Sequence, residues 1–106
     1  MDLIDRELAR EQFEALDPDM AERLRAAMES DFRKWVGLLV DAWEGEDQDG
    51  IHRARHSLKG LCGNFGADVL AGLSYAPLST AGARDRLLTC LDETIHAIKT
   101  AAGPEA

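Results

Sequence analysis

The sequence has few of the features that accompany export, disulfide frameworks or membrane insertion. Its 106 residues include only two cysteines, Cys62 and Cys90, which are too few for a disulfide framework or a zinc tetrad. No apolar run approaches the roughly 20 residues that span a bilayer, and charge from Asp2 onward argues against a signal peptide. We therefore expect a cytoplasmic chain with reduced, buried thiols, and the start at Met1 favours a stand-alone protein.

Positive charge and nucleotide-binding motifs are also scarce. The chain has 12 Lys and Arg residues against 20 Asp and Glu, a net charge of −8. Phosphate backbones and anionic membranes attract the opposite sign, so neither nucleic acid nor a membrane surface is an expected partner. The glycines at 60–66 lack the Walker spacing, no strand precedes them, and the chain is too short to add a kinase domain. We expect no ATP-dependent kinase activity from the chain itself.

Strand signals are nearly absent, and helix formers dominate. Alternating runs of β-branched and aromatic residues do not occur, and valine is found only at positions 36, 40 and 69. The length suits one domain, 1–106, with a bundle core at about 18–100 and a frayed tail at 101–106. The apolar spacing predicts five helices, at about 2–15, 18–43, 49–62, 67–75 and 83–100. Five helices without strands indicate an all-α fold, and we expect an antiparallel four-helix bundle with an additional N-terminal helix.

The second predicted helix carries a continuous apolar stripe. Asp17 is a suitable N-cap for it, and Pro18 is a suitable first residue. Its apolar residues recur every three or four positions, at Met20, Leu24, Met28, Phe32, Trp35, Val36, Leu39, Val40 and Trp43. The stripe is interpreted as core. An apolar edge at the two tryptophans leaves the oligomeric state open, and a monomer is expected.

The breaks between the helices contain residues typical of caps and turns. Gly45 suits a left-handed C-cap, and Asp47 or Asp49 suits the N-cap that follows. The run Gly63-Asn64-Phe65-Gly66 has the composition of a turn. Pro77 does not fit inside a helix, so the fourth helix is predicted to end just before it.

The third predicted helix points a histidine away from its apolar side. At about 100° per residue, that apolar side consists of Ile51, Ala54, Leu58, Leu61 and Cys62. His56 falls nearly opposite and should face water, with His52 one turn before it and Gly60 and Gly63 one and two turns after it. A glycine inside a helix costs about 1 kcal/mol relative to alanine. We therefore interpret Gly60 as clearance that lets another surface approach His56.

The same segment is locally positive. No acidic residue occurs between Gly50 and Ala67, whereas Arg53, Arg55 and Lys59 supply three positive charges. This pattern favours an anionic group on the helix or an acidic partner surface. A docking role for the two arginines is one interpretation, and ordinary solvated charges are the other.

An exposed imidazole can act as a nucleophile near neutral pH, since its unperturbed pKa is about 6.5. A neutral ring nitrogen of His56 can attack a phosphoryl group, and Lys59 can neutralise part of the charge that arrives. The alternative is a metal site made by His52 and His56. The helical zinc-protease motif needs Glu where Arg53 stands, and no carboxylate completes a ligand set, so no metal is expected. His96 is interpreted as structural.

The run His56-Ser57-Leu58-Lys59-Gly60, followed after five intervening residues by Gly66-Ala67 and then Leu70, resembles the motif of histidine phosphotransfer (Hpt) domains. These domains act in bacterial-type phosphorelays, and the resemblance covers roughly 19–98. Two departures occur: Pro77-Leu78-Ser79 interrupts a helix that family members often continue, and Gly63 stands where Ala or Ser is more usual.

The resemblance implies a four-helix bundle with an additional N-terminal helix and a site on its third helix. His56 would be the phosphoacceptor, Lys59 the nearby cation and Gly60 the clearance residue. Gly66 and Ala67 would close the turn into the next helix. The residues expected to dock the partner are His52, Arg53, Arg55 and Gly63.

The resemblance also implies a phosphocarrier rather than a self-sufficient enzyme. The phosphoryl group would come from a receiver-domain aspartate or a sensor histidine kinase and pass to another response regulator. The chain would bind no cofactor, and Mg²⁺ would be held by the partner receiver domain. The alternatives are the Hpt module of a hybrid sensor or chemotaxis kinase, and a non-phosphorylated interaction bundle.

Overall fold

The computed structural model describes residues 2–103 and contains five α-helices and no strand in that range. They are α1 (Arg6–Glu11), α2 (Pro18–Glu44), α3 (Gln48–Phe65), α4 (Asp68–Tyr75) and α5 (Ala81–Ala101). The most extensive helix pair is α2 with α3. The predicted all-α helical bundle is confirmed.

The long helix α2 follows its sequence pattern closely. Asp17 accepts a hydrogen bond from the Met20 amide at 2.8 Å, and Pro18 is the first helical residue, as predicted. The middle of the stripe is fully buried at Met28, Phe32, Val36 and Leu39. The prediction was wrong for Met20, which is 47% exposed. The inward face starts instead at Ala21, the first buried residue of the helix.

The N-terminal helix is shorter than predicted, yet its surroundings belong to the core. Asp5 accepts a hydrogen bond from the Leu8 amide at 3.2 Å, so α1 begins only at Arg6. Ile4, Ala9 and Phe13 are buried. The hydrophobic core therefore includes residues that precede the bundle helices.

The connection between α2 and α3 uses a different left-handed residue from the one predicted. Gly45 has φ −90° and ψ 3°, and the positive φ of 54° belongs to Glu46. Because α2 continues to Glu44, the left-handed residue is Glu46, one residue after the predicted Gly45. The Asp47 amide then donates to the Ala42 carbonyl at 2.8 Å. Asp47 then caps α3 by accepting from the Gly50 amide at 3.0 Å.

The predicted turn at 63–66 is mostly helix. α3 continues to Phe65 because that side chain is buried, with its ring centroid 6.2 Å from Phe13 and 6.1 Å from Phe32. Only Gly66 leaves the helix, with φ 69° in the left-handed region. Its carbonyl accepts a hydrogen bond from the Asp5 amide at 2.8 Å, which fastens the start of α1 to the end of α3.

The last two helices end and begin at clear signals. α4 stops at Tyr75, as predicted from Pro77, and Leu78 in the following segment is buried. Thr80 caps α5 by accepting from the Ala83 amide at 3.1 Å. Fraying was predicted from residue 101, but Ala101 is helical and buried. The remainder of that predicted tail, 104–106, lies outside the described residues.

Within 2–103, no helix combines the length and the apolar character needed to cross a membrane.

Candidate functional site

Helix α3 fixes the orientation of the candidate site. Its inward side is buried at Ile51, Ala54, Leu58, Cys62 and Phe65. His56 lies on the opposite, exposed side, as the helical spacing predicted. Burial raises the pKa of the Cys62 thiol to about 12 and also raises the pKa of Cys90. Both cysteines are free and buried, as expected, and neither thiol belongs to the site.

The neighbours of His56 on the outer face leave the histidine accessible. His52, Arg53, Lys59, Gly60 and Gly63 are all exposed. A Cβ atom added at either glycine would meet no atom within 4 Å, so the space beside His56 is open. Across the described part of the chain, neither His56 nor Lys59 makes a hydrogen bond or ion pair, so both are available to a ligand.

A groove of about 410 Å³ lies along one flank of α3 at His56. Its other lining residues are Gln48, Ile51, His52, Arg55, Lys59 and Tyr75. Two of these carry a positive charge and none is a carboxylate. The groove therefore suits an anionic group bound to the imidazole.

Arg55 makes contacts that differ from those of a free docking side chain. It is partly buried, and its guanidinium donates to the carbonyls of Ser74 at 2.9 Å, Tyr75 at 3.2 Å and Ala76 at 3.2 Å. It also lies 5.6 Å from the Trp43 ring centroid and 5.5 Å from that of Tyr75. These intramolecular bonds were not predicted from the sequence, because they depend on how the end of α4 packs against α3.

The opposite flank of α3 holds a second, more apolar groove of about 300 Å³ between α2 and α3. Trp35, Leu38 and Ala54 contribute apolar surface to it, and Arg53 lies on its border. Leu38 is 44% exposed. Arg53 is a predicted docking residue and Trp35 belongs to the predicted apolar stripe, whereas Leu38 falls just outside that stripe and was not predicted. Asp41 and Asp47 also line this second groove, whereas His56 lines only the first.

Tyr75 is a second lining residue that the sequence did not reveal. It is 49% exposed at the last position of α4, and its hydroxyl donates to the Arg55 carbonyl at 3.4 Å. Only the packing of α4 against α3 brings it beside His56. A terminal aromatic residue of a short predicted helix gives no such signal.

His96 is not part of this site. It is exposed on α5 rather than packed as a structural residue, and it lines a separate groove with Glu29 and Lys99. Among the residues that the structure describes, no group of three or more His, Cys, Asp or Glu side chains is arranged to hold a metal ion.

Comparison with known proteins gives one match. A model of the Hpt domain matches residues 8–102, almost the whole of the described chain. No curated protein and no solved structure matches significantly.

Proposed function

The chain belongs to the Hpt domain family, and on this premise we propose that it carries phosphoryl groups on His56 between receiver-domain aspartates. Histidine phosphotransfer in phosphorelays is the activity that the family implies, and its members interact with receiver domains and kinases. Our proposal is that His56 is the acceptor and that particular residues of this chain dock the partner.

The observation that carries the proposal is the accessibility of His56 beside a groove without carboxylates. Lys59 borders the same groove and has no competing partner in the described chain, so it can approach an incoming phosphoryl group. The two other histidines are weaker candidates. His52 lacks the Lys and Gly that follow His56 by three and four residues, and His96 lies on another helix.

The transfer step is a displacement at phosphorus. The unprotonated ring nitrogen of His56 donates its lone pair to the phosphorus of an aspartyl phosphate. A nitrogen–phosphorus bond forms, the bond from phosphorus to the aspartyl oxygen breaks, and the carboxylate leaves with that electron pair. The second ring nitrogen keeps its proton throughout. The reverse step passes the group to the next aspartate and returns a neutral imidazole.

The surrounding residues have distinct parts in this proposal. Lys59 offsets the phosphoryl charge, and Gly60 leaves the space through which the receiver approaches. His52, Arg53 and Gly63 form the exposed docking surface. We expect the receiver domain to provide the Mg²⁺ site, since the groove at His56 has no carboxylate.

The experiment is phosphotransfer from purified, radiolabelled receiver domains of the source organism to the full chain. We expect one receiver or more to label the protein, with the label stable in base, labile in acid and mapped to His56 by mass spectrometry. His56→Gln should abolish labelling and change the free energy of unfolding by about 0.5 kcal/mol or less, since the residue is exposed. His96→Gln is the matched control and should be labelled normally.

Two results would contradict the proposal. Label that remains on the His56→Gln protein and maps to His52 or His96 would move the acceptor. Failure of every receiver and every sensor kinase to label the parent would favour the non-phosphorylated interaction bundle.

A further inference from the structure

Arg55 lies between the carboxyl-terminal end of α4 and the groove at His56. Its Nε and Nη2 atoms donate to the carbonyls of Ser74, Tyr75 and Ala76, and the same residue lines the groove. It is also the residue directly before His56 in the chain. One fixed cation thus faces a helix end on one side and the histidine site on the other.

The end of α4 needs an outside donor. The last carbonyls of a helix have no partner within the helix, and together they carry about half a negative charge. α4 has eight residues and no basic residue in its last turn. Ala76 then turns to extended backbone, and Pro77 has no amide proton to offer. Arg55 supplies the missing donors from α3.

The arrangement also holds one wall of the groove in place. The guanidinium lies over the rings of Trp43 and Tyr75, at 5.6 Å and 5.5 Å from their centroids, close enough for cation–π attraction. In return, the Tyr75 hydroxyl donates to the Arg55 carbonyl at 3.4 Å. Side chain and backbone of one residue therefore fasten α4 beside the histidine.

We propose that Arg55 is a positioning residue for the phosphorylated state: it screens the carbonyl end of α4 from the phosphoryl group on His56 and holds Tyr75 as the facing wall. The inference rests on the proposed function, in which His56 receives the group. A phosphoryl group carries close to two negative charges, so an unscreened helix carboxyl terminus beside it would be repulsive.

Arg55 and Lys59 then have complementary parts. Lys59 has no hydrogen bond or ion pair to another residue in 2–103 and is free to follow the phosphoryl group. Arg55 keeps its bonds to the three carbonyls and acts as a charge at a fixed place. Loss of Arg55 should therefore lower the stability of the phosphorylated protein more than that of the unphosphorylated protein. If Arg55 acted in packing alone, its loss would lower both stabilities equally.

The test measures this difference without any receiver. Since the chain has three histidines, a His52→Gln, His96→Gln background leaves His56 as the only one. The full chain is phosphorylated with phosphoramidate, occupancy is read by ³¹P NMR, and urea unfolding is followed for both forms at pH 8. For Arg55→Gln we expect the urea midpoint to fall further in the phosphorylated form, by an additional shift of roughly 0.3–1 M.

Two further variants define the outcomes. Arg86→Gln removes one positive charge from the exposed surface of α5, outside the groove at His56, and its urea midpoint should change on phosphorylation by as much as the parent's. Arg55→Lys keeps the charge. Its urea midpoint should change on phosphorylation by nearly as much as the parent's, even if this variant is less stable than the parent in both forms. The inference would be overturned if Arg55→Gln lowered the urea midpoint equally in the phosphorylated and unphosphorylated forms. It would also be overturned if a folded Arg55→Lys protein lowered the midpoint of the phosphorylated form as much as Arg55→Gln does. Because phosphoramidate needs no docking, such a result leaves the receiver assay unaffected, and failure of that assay tests the proposed function separately.

Discussion

Gly60 lies one helical turn after His56 on the exposed face of α3, and a Cβ atom placed on it would meet no other atom within 4 Å. No packing contact within residues 2–103 requires a glycine there. A glycine in a helix interior costs about 1 kcal/mol relative to alanine, so the residue lowers stability without any return in packing. This relationship favours a role that concerns an approaching partner.

Gly60→Gln should therefore fold at least as stably as the parent and transfer phosphoryl groups much more slowly, because the new side chain stands beside His56. Urea unfolding and the rate of labelling by a phosphorylated receiver measure the two effects. Gly82→Gln is the matched control: it is also exposed and helical, and its Cβ would also meet open space. Parental transfer by Gly60→Gln would show that clearance is not its role.

Lys59→Gln should slow transfer to His56 by about tenfold, equivalent to about 1.4 kcal/mol of lost charge stabilisation. Stability should change little, since Lys59 is exposed. Rapid-quench labelling measures the rate, with Lys59→Arg as the control that keeps the charge. If Gln and Arg at this position transfer equally fast, charge is not what Lys59 contributes.

Gly66→Ala should destabilise the fold by at least about 1–2 kcal/mol, because a side chain disfavours the left-handed backbone at φ 69°. The added Cβ would also lie 2.7 Å from the Asp5 Cβ and 2.9 Å from its carbonyl oxygen. Gly63→Ala, inside α3, has open space and should be neutral or stabilising. Equal urea midpoints for the two variants would contradict the contact between Asp5 and Gly66.

The Glu29 carboxylate should stabilise the fold at neutral pH and lose that effect in acid. Hydrogen bonds from Lys99 and Arg33 lower the pKa of Glu29 from 4.5. A carboxyl group with a lowered folded-state pKa contributes stability above its unfolded pKa, and the contribution disappears as pH falls through the folded value. Glu29→Gln should thus lower the urea midpoint at pH 7 and converge on the parent below pH 4.5.

Cys62 should resist alkylation in the native protein. Burial raises its pKa to about 12, so the reactive thiolate is rare at pH 8, and burial of Cys90 raises the pKa of that thiol as well. Iodoacetamide labelling followed by mass spectrometry should be slow without denaturant and fast in urea. Rapid native labelling of Cys62 would show that the α3 side of the core opens readily.

The elements that sequence alone predicted are those with long, regular patterns. α2 begins at Pro18 as expected, because Asp17 and Pro18 are local signals and the stripe extends over many turns. The exposure of His56 followed from helix geometry in the same way. Local composition failed where tertiary burial decides the outcome. Phe65 looked like part of a turn, but its contacts with Phe13 and Phe32 keep the last turn of α3 helical.

The site was predictable only in the part that lies on α3. His56, Lys59 and Gly60 share one helix, so their relative placement follows from 3.6 residues per turn. Tyr75 reaches the groove from α4, and the bonds of Arg55 depend on where that helix stops. These are relations between helices, and no spacing within one helix specifies them.

The stacking of Arg55 on Trp43 gives the protein an internal optical probe. The chain has two tryptophans, so Trp35→Phe leaves Trp43 as the only indole emitter. Its ring lies 5.6 Å from a guanidinium whose own residue precedes His56 in the chain. Because Arg55 and His56 line the same groove, we expect a change of charge at the histidine to alter the field at this indole. Tryptophan fluorescence should therefore follow phosphorylation in real time, without radiolabel or attached dye.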